Sequence, residues 1–466
     1  MLLTTYSYHS IPGLYSKLCN YHKSFNISHV LLNHPKRCLQ TKAFQPQFDL
    51  QLFSDRIFVD NLRDNLIARK HNLNVDYLLD VYRNYTKEKR SELYDELMSL
   101  ISQLPNLTHP LTPIGDALKA RKIYIHGSKR EENWKLLNVV EIATKANRSS
   151  VIQSNINPAI SINPGGHLRV RHTTIGAGQR TYYFSGPLAL LESALIAYTL
   201  DRLKGTGFGF ISVPDILPEP VIRACGFPTK GIRSQIYKIT PPLSNLRYCL
   251  SGTSEMALAG FCAGRSFNCS SSKNDASDQF SALGFCSVSR CFRKEVPQQE
   301  PTLYRVHQFT KVEMFSVTAP VLSISDAMFD RIIKLQICLF ADLGLHFKVL
   351  EMPSEELGDS AYRKVDIEAW MPGDQMYGEV SSASNCLDYQ SKRLNIRWQT
   401  SESQREFAYT LNGTACAIPR IMKALIETHQ TESGQVVIPE VLKPYMRMES
   451  AYPIFQFKCL PNEKSN

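Results

Sequence analysis

The stretch from Cys291 to Phe315 mixes charged, aromatic and apolar residues in a pattern that could bind a charged ligand. Two β-prone runs, around Cys291-Phe292 and around Val306–Phe315, flank a piece with two prolines, which predicts a β-hairpin with a long loop. Residues two apart share a strand face. Charged and aromatic side chains would therefore share faces of this hairpin: Arg293 and Glu295 on the first strand, and Arg305, His307, Phe309, Lys311 and Glu313 on the second. Such a surface is either solvated, with cross-strand ion pairs, or holds a charged ligand, and the residues alone favour neither.

A hydroxyl and a carboxylate stand two residues apart at Thr253 and Glu255. On one strand face they could hold the hydroxyl and the ammonium group of a small amino acid. The same pattern more often marks the start of a helix, with the threonine as N-cap. Both interpretations stay open at this point.

A second group of polar residues lies further along the chain. Glu379, Ser381 and Ser382 bring a carboxylate and hydroxyls together, as Mg²⁺ bound to a phosphate requires, although a Ser-rich turn has the same composition. The small residues at 414–417 would let a ligand lie against the backbone, and Arg420 follows them. The segment Thr410–Arg420 is predicted to continue through Ile421–Glu427 as a helix with Pro419 in its first turn.

Several regular elements must position these residues. Apolar spacing predicts helices over Leu188–Leu203 and Asp326–Leu343, and strands over residues 207–214, Asp366–Trp370 and Tyr377–Ser384. Residues 44–110 are helical in pattern, with a polar, basic step that contains Lys87, Lys89 and Arg90. That step either contacts RNA through the three cations or is a solvated helix face, which is the more common meaning of a charge run.

Composition narrows the class of protein. The chain has 466 residues and a net charge of +10, which is compatible with a nucleic-acid partner. It has no apolar run of about 18 residues, so no membrane span is expected. The 12 cysteines form no CxxC pair, so we expect neither a zinc site nor a disulfide framework. The first 48 residues hold five Lys or Arg and no Asp or Glu, a balance that is typical of a mitochondrial transit peptide.

The ordered string FRKE…LYRVHQFTKVEMF resembles motif 2 of class II aminoacyl-tRNA synthetases, and in detail that of seryl-tRNA synthetases, most closely the mitochondrial form. The helix and strand over residues 188–214 resemble motif 1, and residues 410–420 resemble motif 3. The similarity covers about residues 105–446. It implies an α+β fold with an antiparallel sheet flanked by helices, preceded by a short helical domain that is a reduced coiled-coil arm. The expected division is a transit peptide at 1–43, a tRNA-binding domain at 44–110 and a catalytic domain at 111–460.

The resemblance also implies functions for individual residues. Arg293 would bind the α-phosphate and the serine carboxylate, Glu295 the adenine side and Arg305 the γ-phosphate, while Phe309 and Arg420 would sandwich the base. Arg293, Glu295 and Arg420 are thus the expected catalytic residues, and Glu379 and Ser382 would hold Mg²⁺ and phosphate. The serine site would consist of Thr253, Glu255, Glu313, Asn412 and Thr414. Expected partners are tRNA(Ser), bound in part by Lys87, Lys89 and Arg90, and a second subunit in the mitochondrial matrix, either a copy of the chain or a mitochondrial seryl-tRNA synthetase.

Two departures from the family pattern separate two functional hypotheses. Only nine residues lie between Glu295 and Arg305, and Pro301-Thr302 stands where the family has Arg-Gly. These features and the reduced arm favour a relative that binds tRNA(Ser) and supports mitochondrial translation with lost or reduced ligase activity, as in a seryl-tRNA synthetase-like paralogue of insect mitochondria. The alternative is an active mitochondrial serine–tRNA ligase, which the retained site residues favour.

Overall fold

The computed structural model describes residues 46–145, 161–170, 178, 180–229, 231, 234–240, 247–268, 281–295, 303–401 and 403–446. The predicted transit peptide and most of the loop between Glu295 and Arg305 lie outside the described residues. Within the described ranges, no helix is both long enough and apolar enough to cross a membrane.

Helices occur in two groups, one in residues 56–101 and one distributed around the sheet. They are α1 Arg56–Ala68, α2 Val75–Glu88, α3 Ser91–Ile101, α4 Val139–Lys145, α5 Gly186–Lys204, α6 Glu219–Ala224, α7 Ser254–Cys262, α8 Leu322–Asp342, α9 Tyr389–Leu394 and α10 Ile418–Thr428. Short 3-10 helices cover Leu50–Ser54, Ala117–Lys119, Ser354–Glu356 and Glu440–Tyr445.

The strands form one large sheet and several small ones. The strands are β1 Arg121–His126, β2 Ser161–Ile162, β3 Leu168–Arg169, β4 Tyr183–Phe184, β5 Gly209–Phe210, β6 Ile216–Pro218, β7 Tyr248–Leu250, β8 Ser266–Phe267, β9 Ala282–Phe292, β10 Gln308–Thr318, β11 Phe347–Glu351, β12 Arg363–Met371, β13 Met376–Leu387, β14 Arg397–Gln399, β15 Arg405–Phe407, β16 Tyr409–Ala417 and β17 Val436–Val437. The large sheet has the order β1-β11-β12-β13-β16-β10-β9-β5. Its pairs are antiparallel except β5 with β9, which confirms the predicted mostly antiparallel sheet.

The two faces of the large sheet differ in character. Val312 and Met314 of β10 point into the main core beneath α5, α8 and α10. Phe315 and Val317, one residue out of phase with them, pack in a second core against α6 and α7. Because strand side chains alternate, Phe309, Lys311 and Glu313 lie on the second face, as predicted. However, these three side chains are buried, so the solvated interpretation of this face is wrong.

Three local predictions need correction. Arg293 and Glu295 lie beyond the end of β9, and Glu295 has φ of +39°, so they do not share a strand face. Arg305 and His307 likewise precede β10. The strand predicted over 207–214 is only two residues long. The last hydrogen bond of this strand to β9 runs from the Ile211 N–H to Cys286 O. Pro214 cannot extend the pairing, because proline has no N–H to donate.

The N-terminal helices α1, α2 and α3 bury their own small core, which includes Leu62, Leu78 and Leu97. Arg69, just after α1, attaches this unit to the rest of the chain. Its buried guanidinium donates to Leu107 O and Ala361 O, both at 2.7 Å, and to the Thr108 hydroxyl at 2.9 Å. Nearby, Arg393 of α9 stacks 3.5 Å over the Tyr389 ring and donates to Leu104 O at 3.2 Å. Helix α9 therefore contacts the N-terminal unit directly.

We expect Arg69→Met to lower the free energy of unfolding by about 3 kcal/mol, because it leaves buried carbonyl groups without a donor. Urea unfolding measures this change. Arg56→Met is the matched control, since the Arg56 side chain is 93% exposed and its loss is expected to cost less than about 0.5 kcal/mol. Equal stabilities of the two variants would contradict the assignment of Arg69 as the junction residue.

Candidate active site

Lys311 lies at the centre of a buried polar pocket on the second face of the sheet. Its ammonium forms an ion pair with the Glu313 carboxylate, and it donates to the Thr253 hydroxyl at 2.8 Å and to the Thr414 hydroxyl at 3.3 Å. Alternation along β10 brings Lys311 and Glu313 to one face, and a register shift against β16 sets Thr414 opposite Glu313. The Thr414 hydroxyl then donates to Glu313 at 3.1 Å.

Glu255 enters this pocket from the first turn of α7. Thr253 is the N-cap of that helix, so the strand interpretation is wrong and the capping interpretation is confirmed. One oxygen of Glu255, Oε1, accepts from the side-chain amides of Asn412 at 2.8 Å and of Gln390 at 2.7 Å. The pKa of Glu255 is raised to about 8, chiefly by burial and also by the charge of Glu313, with Lys311 and the hydrogen bond from Gln390 opposing both.

The five residues predicted for an amino-acid site, Thr253, Glu255, Glu313, Asn412 and Thr414, thus lie around one pocket. No function was predicted for Lys311, although its spacing from Glu313 was a usable signal. Gln390 was not predicted at all. It comes from α9, which is remote in sequence from the other elements, and no local pattern connects the two.

Next to this pocket lies a cluster of two arginines and a carboxylate. Arg420 donates to Glu379 O at 2.9 Å, and its guanidinium lies 3.5 Å from the Glu379 carboxylate. Burial alone would raise the pKa of Glu379, but the positive charges of Arg420, Lys364 and Arg293 lower it. The Arg293 guanidinium lies 5.3 Å from the centre of the Phe309 ring. The structure therefore brings Arg293, Phe309, Glu379 and Arg420 together.

Tyr304 is a member of this cluster that was not predicted from sequence. Its hydroxyl accepts from the Glu379 N–H at 2.7 Å, and the Arg420 guanidinium lies 4.5 Å from its ring centre. The predicted sandwich of a base between Phe309 and Arg420 stays a prediction. In the structure, Phe309 is stacked with Arg293, and Arg420 with Tyr304.

Ser382 lies opposite Asp366 in the pair β12–β13, and the Asp366 carboxylate accepts from the Lys364 ammonium at 2.8 Å. Burial raises the pKa of Asp366 to about 6, with Lys364 opposing this effect and Glu379 adding to it. A register shift in this pair brings Glu379 to the same side as Ser382. Carboxylate and hydroxyl oxygens therefore converge beside Arg293 and Arg420. In the part of the chain that the structure describes, no group of three or more His, Cys, Asp or Glu is arranged to hold a metal ion.

Glu295 and Arg305 lie at the rim of the cluster. The Glu295 side chain is buried and accepts from Arg305 at 3.4 Å, whereas the Arg305 side chain is 58% exposed. Burial would lower the pKa of Arg420, but the nearby charges of Glu379 and, less strongly, Glu295 raise it. Arg305 thus presents a cation at the mouth of the site.

Lys87, Lys89 and Arg90 are not part of this site. Lys87 lies in the last turn of α2, and Lys89, with left-handed backbone geometry, and Arg90 follow it in the turn before α3. All three are exposed. Lys89 lies 5.0 Å from the Tyr85 ring centre, and Arg90 pairs with Glu88 at 2.7 Å. The turn is therefore a separate basic surface on the N-terminal unit.

Comparison with known proteins identifies the family. The family model for the class II core domain of tRNA synthetases (G, H, P, S and T) matches residues 281–429. The mitochondrial serine–tRNA ligase of Mus musculus is 40% identical over 77% of this chain and 64% of its own length. That of Saccharomyces cerevisiae is 33% identical over 85% of this chain and 83% of its own length. The chain belongs to the serine–tRNA ligase family.

The serine–tRNA ligase fold is confirmed by solved structures. Seryl-tRNA synthetase from Pyrococcus horikoshii, complexed with ATP, is 26% identical with a TM-score of 0.72, covering 86% of this chain and 98% of that one. The cytoplasmic enzyme from Naegleria fowleri, in complex with AMP, is 25% identical with a TM-score of 0.71, covering 85% and 96%. The chain spans 64% of the length of the mouse and bovine relatives.

Proposed function

We propose that this protein is a serine–tRNA ligase of the mitochondrial matrix, which activates serine with ATP and transfers it to tRNA(Ser). One observation carries the proposal: Arg293, Phe309, Glu379 and Arg420 form one cluster beside a buried pocket for a small, polar, cationic ligand. The names of the relatives, mitochondrial serine–tRNA ligases, and the ATP and AMP bound to the two solved homologues support it.

The proposed first step needs no protein nucleophile. The serine carboxylate attacks the α-phosphorus of ATP, a new P–O bond forms, and the bond to the β-phosphate oxygen breaks to release pyrophosphate. Arg293 neutralises the charge that develops at the α-phosphate, and Arg305 binds the γ-phosphate at the rim. Glu295, Phe309 and Arg420 position the adenine.

The oxygen donors of the cluster fit Mg²⁺, which prefers carboxylate and hydroxyl oxygens together with substrate phosphates. Glu379 and Ser382 would hold it, and the Glu379 side chain is 41% exposed, so it is accessible to a ligand. The ion would neutralise phosphate charge. Asp366 lies directly opposite Ser382 in the pair β12–β13 and adds a carboxylate to this surface.

In the amino-acid pocket, Thr253, Thr414 and Asn412 are partners for the serine hydroxyl, and Glu255 and Glu313 for its ammonium group. Alanine would leave those buried groups unpaired, so we expect it to be rejected. Retention of two carboxylates and a lysine in a buried pocket is itself costly to stability, which favours a binding function.

The second candidate is a tRNA-binding relative without ligase activity. The observation that favours it is the short segment of nine residues between Glu295 and Arg305, with Pro301-Thr302 in place of the family's Arg-Gly. Serine-dependent exchange of pyrophosphate into ATP by the purified protein tests the choice. Exchange that requires serine supports the ligase, and its absence in a folded protein that still binds tRNA(Ser) supports the relative.

The N-terminal unit is proposed to bind the tRNA, and the first 43 residues to direct import. Replacing Lys87, Lys89 and Arg90 with glutamine is expected to weaken tRNA(Ser) binding and to reduce the slope of log affinity against log salt by roughly 0.7–0.9 for each phosphate that is no longer neutralised. Filter binding at several salt concentrations measures this slope. A control that neutralises Lys122, Lys334 and Arg405 removes the same charge from exposed positions elsewhere and should keep the wild-type slope. Equal slopes in both variants would contradict the proposal.

A dimer is proposed through α5 and the neighbouring edge strand β5, with either a second copy or a mitochondrial seryl-tRNA synthetase as partner. Phe210 of β5 is 49% exposed at that edge. An apolar side chain that a partner subunit covers in a dimer would be exposed in this way in the single chain.

A further inference from the structure

The amino-acid pocket contains unequal numbers of buried charges. Glu255 and Glu313 are 5% and 2% exposed, and Lys311, also 5% exposed, is the cation between them. Lys311 forms its ion pair with Glu313. The hydrogen bonds to Glu255 come instead from neutral amides, those of Asn412 and Gln390.

The other titratable groups near Glu255 do not correct this imbalance. Cys225, after α6, and Cys386, on β13, both face it, and burial raises the pKa of each thiol so that neither carries charge near neutral pH. The position of Glu255 in the first turn of α7 favours its charged form, as does Lys311. Burial and the neighbouring Glu313 outweigh both, and the pKa of Glu255 is about 8.

A buried carboxylate without a compensating cation has a high free energy, so burial favours its protonated, neutral form. Because both amides donate to Oε1, Oε2 is the oxygen that would carry such a proton. A ligand that brings its own cation into the pocket removes the cost of ionising Glu255. The free amino group of an amino acid, which is an ammonium at neutral pH, is such a cation.

We propose that Glu255 is protonated in the empty pocket and that serine binding, by inserting an ammonium group, releases this proton to solvent. The inference rests on the proposed function and adds that the site recognises a cationic amine by proton exchange. The balance is simple: the carboxylic acid and the ammonium ion become a carboxylate–ammonium pair, one proton leaves, and no covalent bond other than O–H changes.

The pH dependence follows from the direction of the pKa change. Serine lowers the pKa of Glu255. At a pH between the pKa of the serine-bound protein and that of the free protein, the protein therefore loses a proton when serine binds. Serine affinity should therefore rise up to about tenfold for each pH unit in this window and level off above the free value. At pH 7, close to one proton should leave for each serine bound.

Isothermal titration calorimetry of the full chain in buffers of different ionisation enthalpy, phosphate and Tris at pH 7, counts these protons. We expect about one for serine and none for 3-hydroxypropanoate, which lacks the amine. Glu255→Gln mimics the protonated side chain, so it should fold, release no proton and bind serine with an affinity that does not change with pH. Gln390→Leu removes one donor to Glu255, so the pH at which serine affinity levels off should move upward.

The outcomes separate this inference from the proposed function. Serine binding without proton release in the wild-type protein would overturn the inference and leave the ligase proposal standing. Equal proton release with 3-hydroxypropanoate would overturn it as well, since the amine would then not be the cause. A folded protein that binds no serine at any pH would overturn both.

Discussion

Arg293→Ala is expected to lower the rate of serine-dependent ATP–pyrophosphate exchange by about 10²–10³-fold, the usual cost of removing one group that stabilises transition-state charge. Arg293 lies over the Phe309 ring and beside Glu379, so its guanidinium faces the position proposed for the α-phosphate. Its loss should affect kcat more than the KM for serine, because the serine side chain and ammonium group are bound elsewhere. The measurement is the exchange rate as a function of serine and ATP concentration.

The adjacent Lys294 provides the matched control. It is exposed and lies near Tyr237 rather than in the cluster, so Lys294→Ala removes the same charge one residue away. Exchange in this variant should stay within about threefold of wild type, which is about 0.6 kcal/mol. Equal losses in the two variants would show that general charge, rather than the position of Arg293, supports the reaction.

Lys311→Met is expected to lower the free energy of unfolding by about 3–5 kcal/mol, because it leaves the buried Glu313 carboxylate without its cation. It should also abolish serine binding, because the Lys311 ammonium donates to the Thr253 and Thr414 hydroxyls and so orients them for the serine hydroxyl. Urea unfolding and calorimetry with serine measure the two effects. The double variant with Glu313→Gln removes the unpaired charge, so much of the stability should return while serine binding does not. A single variant as stable as wild type would contradict the central position of Lys311.

Much of the sheet and part of the site could be predicted from sequence because local patterns determine them. Alternation along β10 places Phe309, Lys311 and Glu313 on one face, and Pro419 marks the first turn of α10. The family was recognisable since motif 2 is continuous in sequence. However, motif 2 alone does not indicate that α6 and α7 cover the second face of the sheet. The burial of that face could therefore not be predicted.

The remaining features depend on contacts between segments that are distant in the chain. Gln390 lies 135 positions from Glu255, and no periodic signal connects them. Tyr304 orders Glu379 and Arg420 through a contact across 75 positions to Glu379. Thr253 was ambiguous because a threonine two residues before a glutamate suits both a strand and a helix start. Only tertiary packing decides between them.

A nucleotide and a serine are proposed to bind side by side. The nucleotide would lie on the cluster of Arg293, Phe309, Glu379 and Arg420, and the serine in the amino-acid pocket around Lys311. Calorimetric titration of the full chain with a non-hydrolysable seryl-adenylate analogue tests this arrangement most directly, because the ligand fills both positions at once. We predict one analogue per chain, bound at least about 10²-fold more tightly than serine alone and weakened by both Arg293→Ala and Lys311→Met. A folded chain that binds the analogue no more tightly than serine, or equally well in both variants, would contradict it.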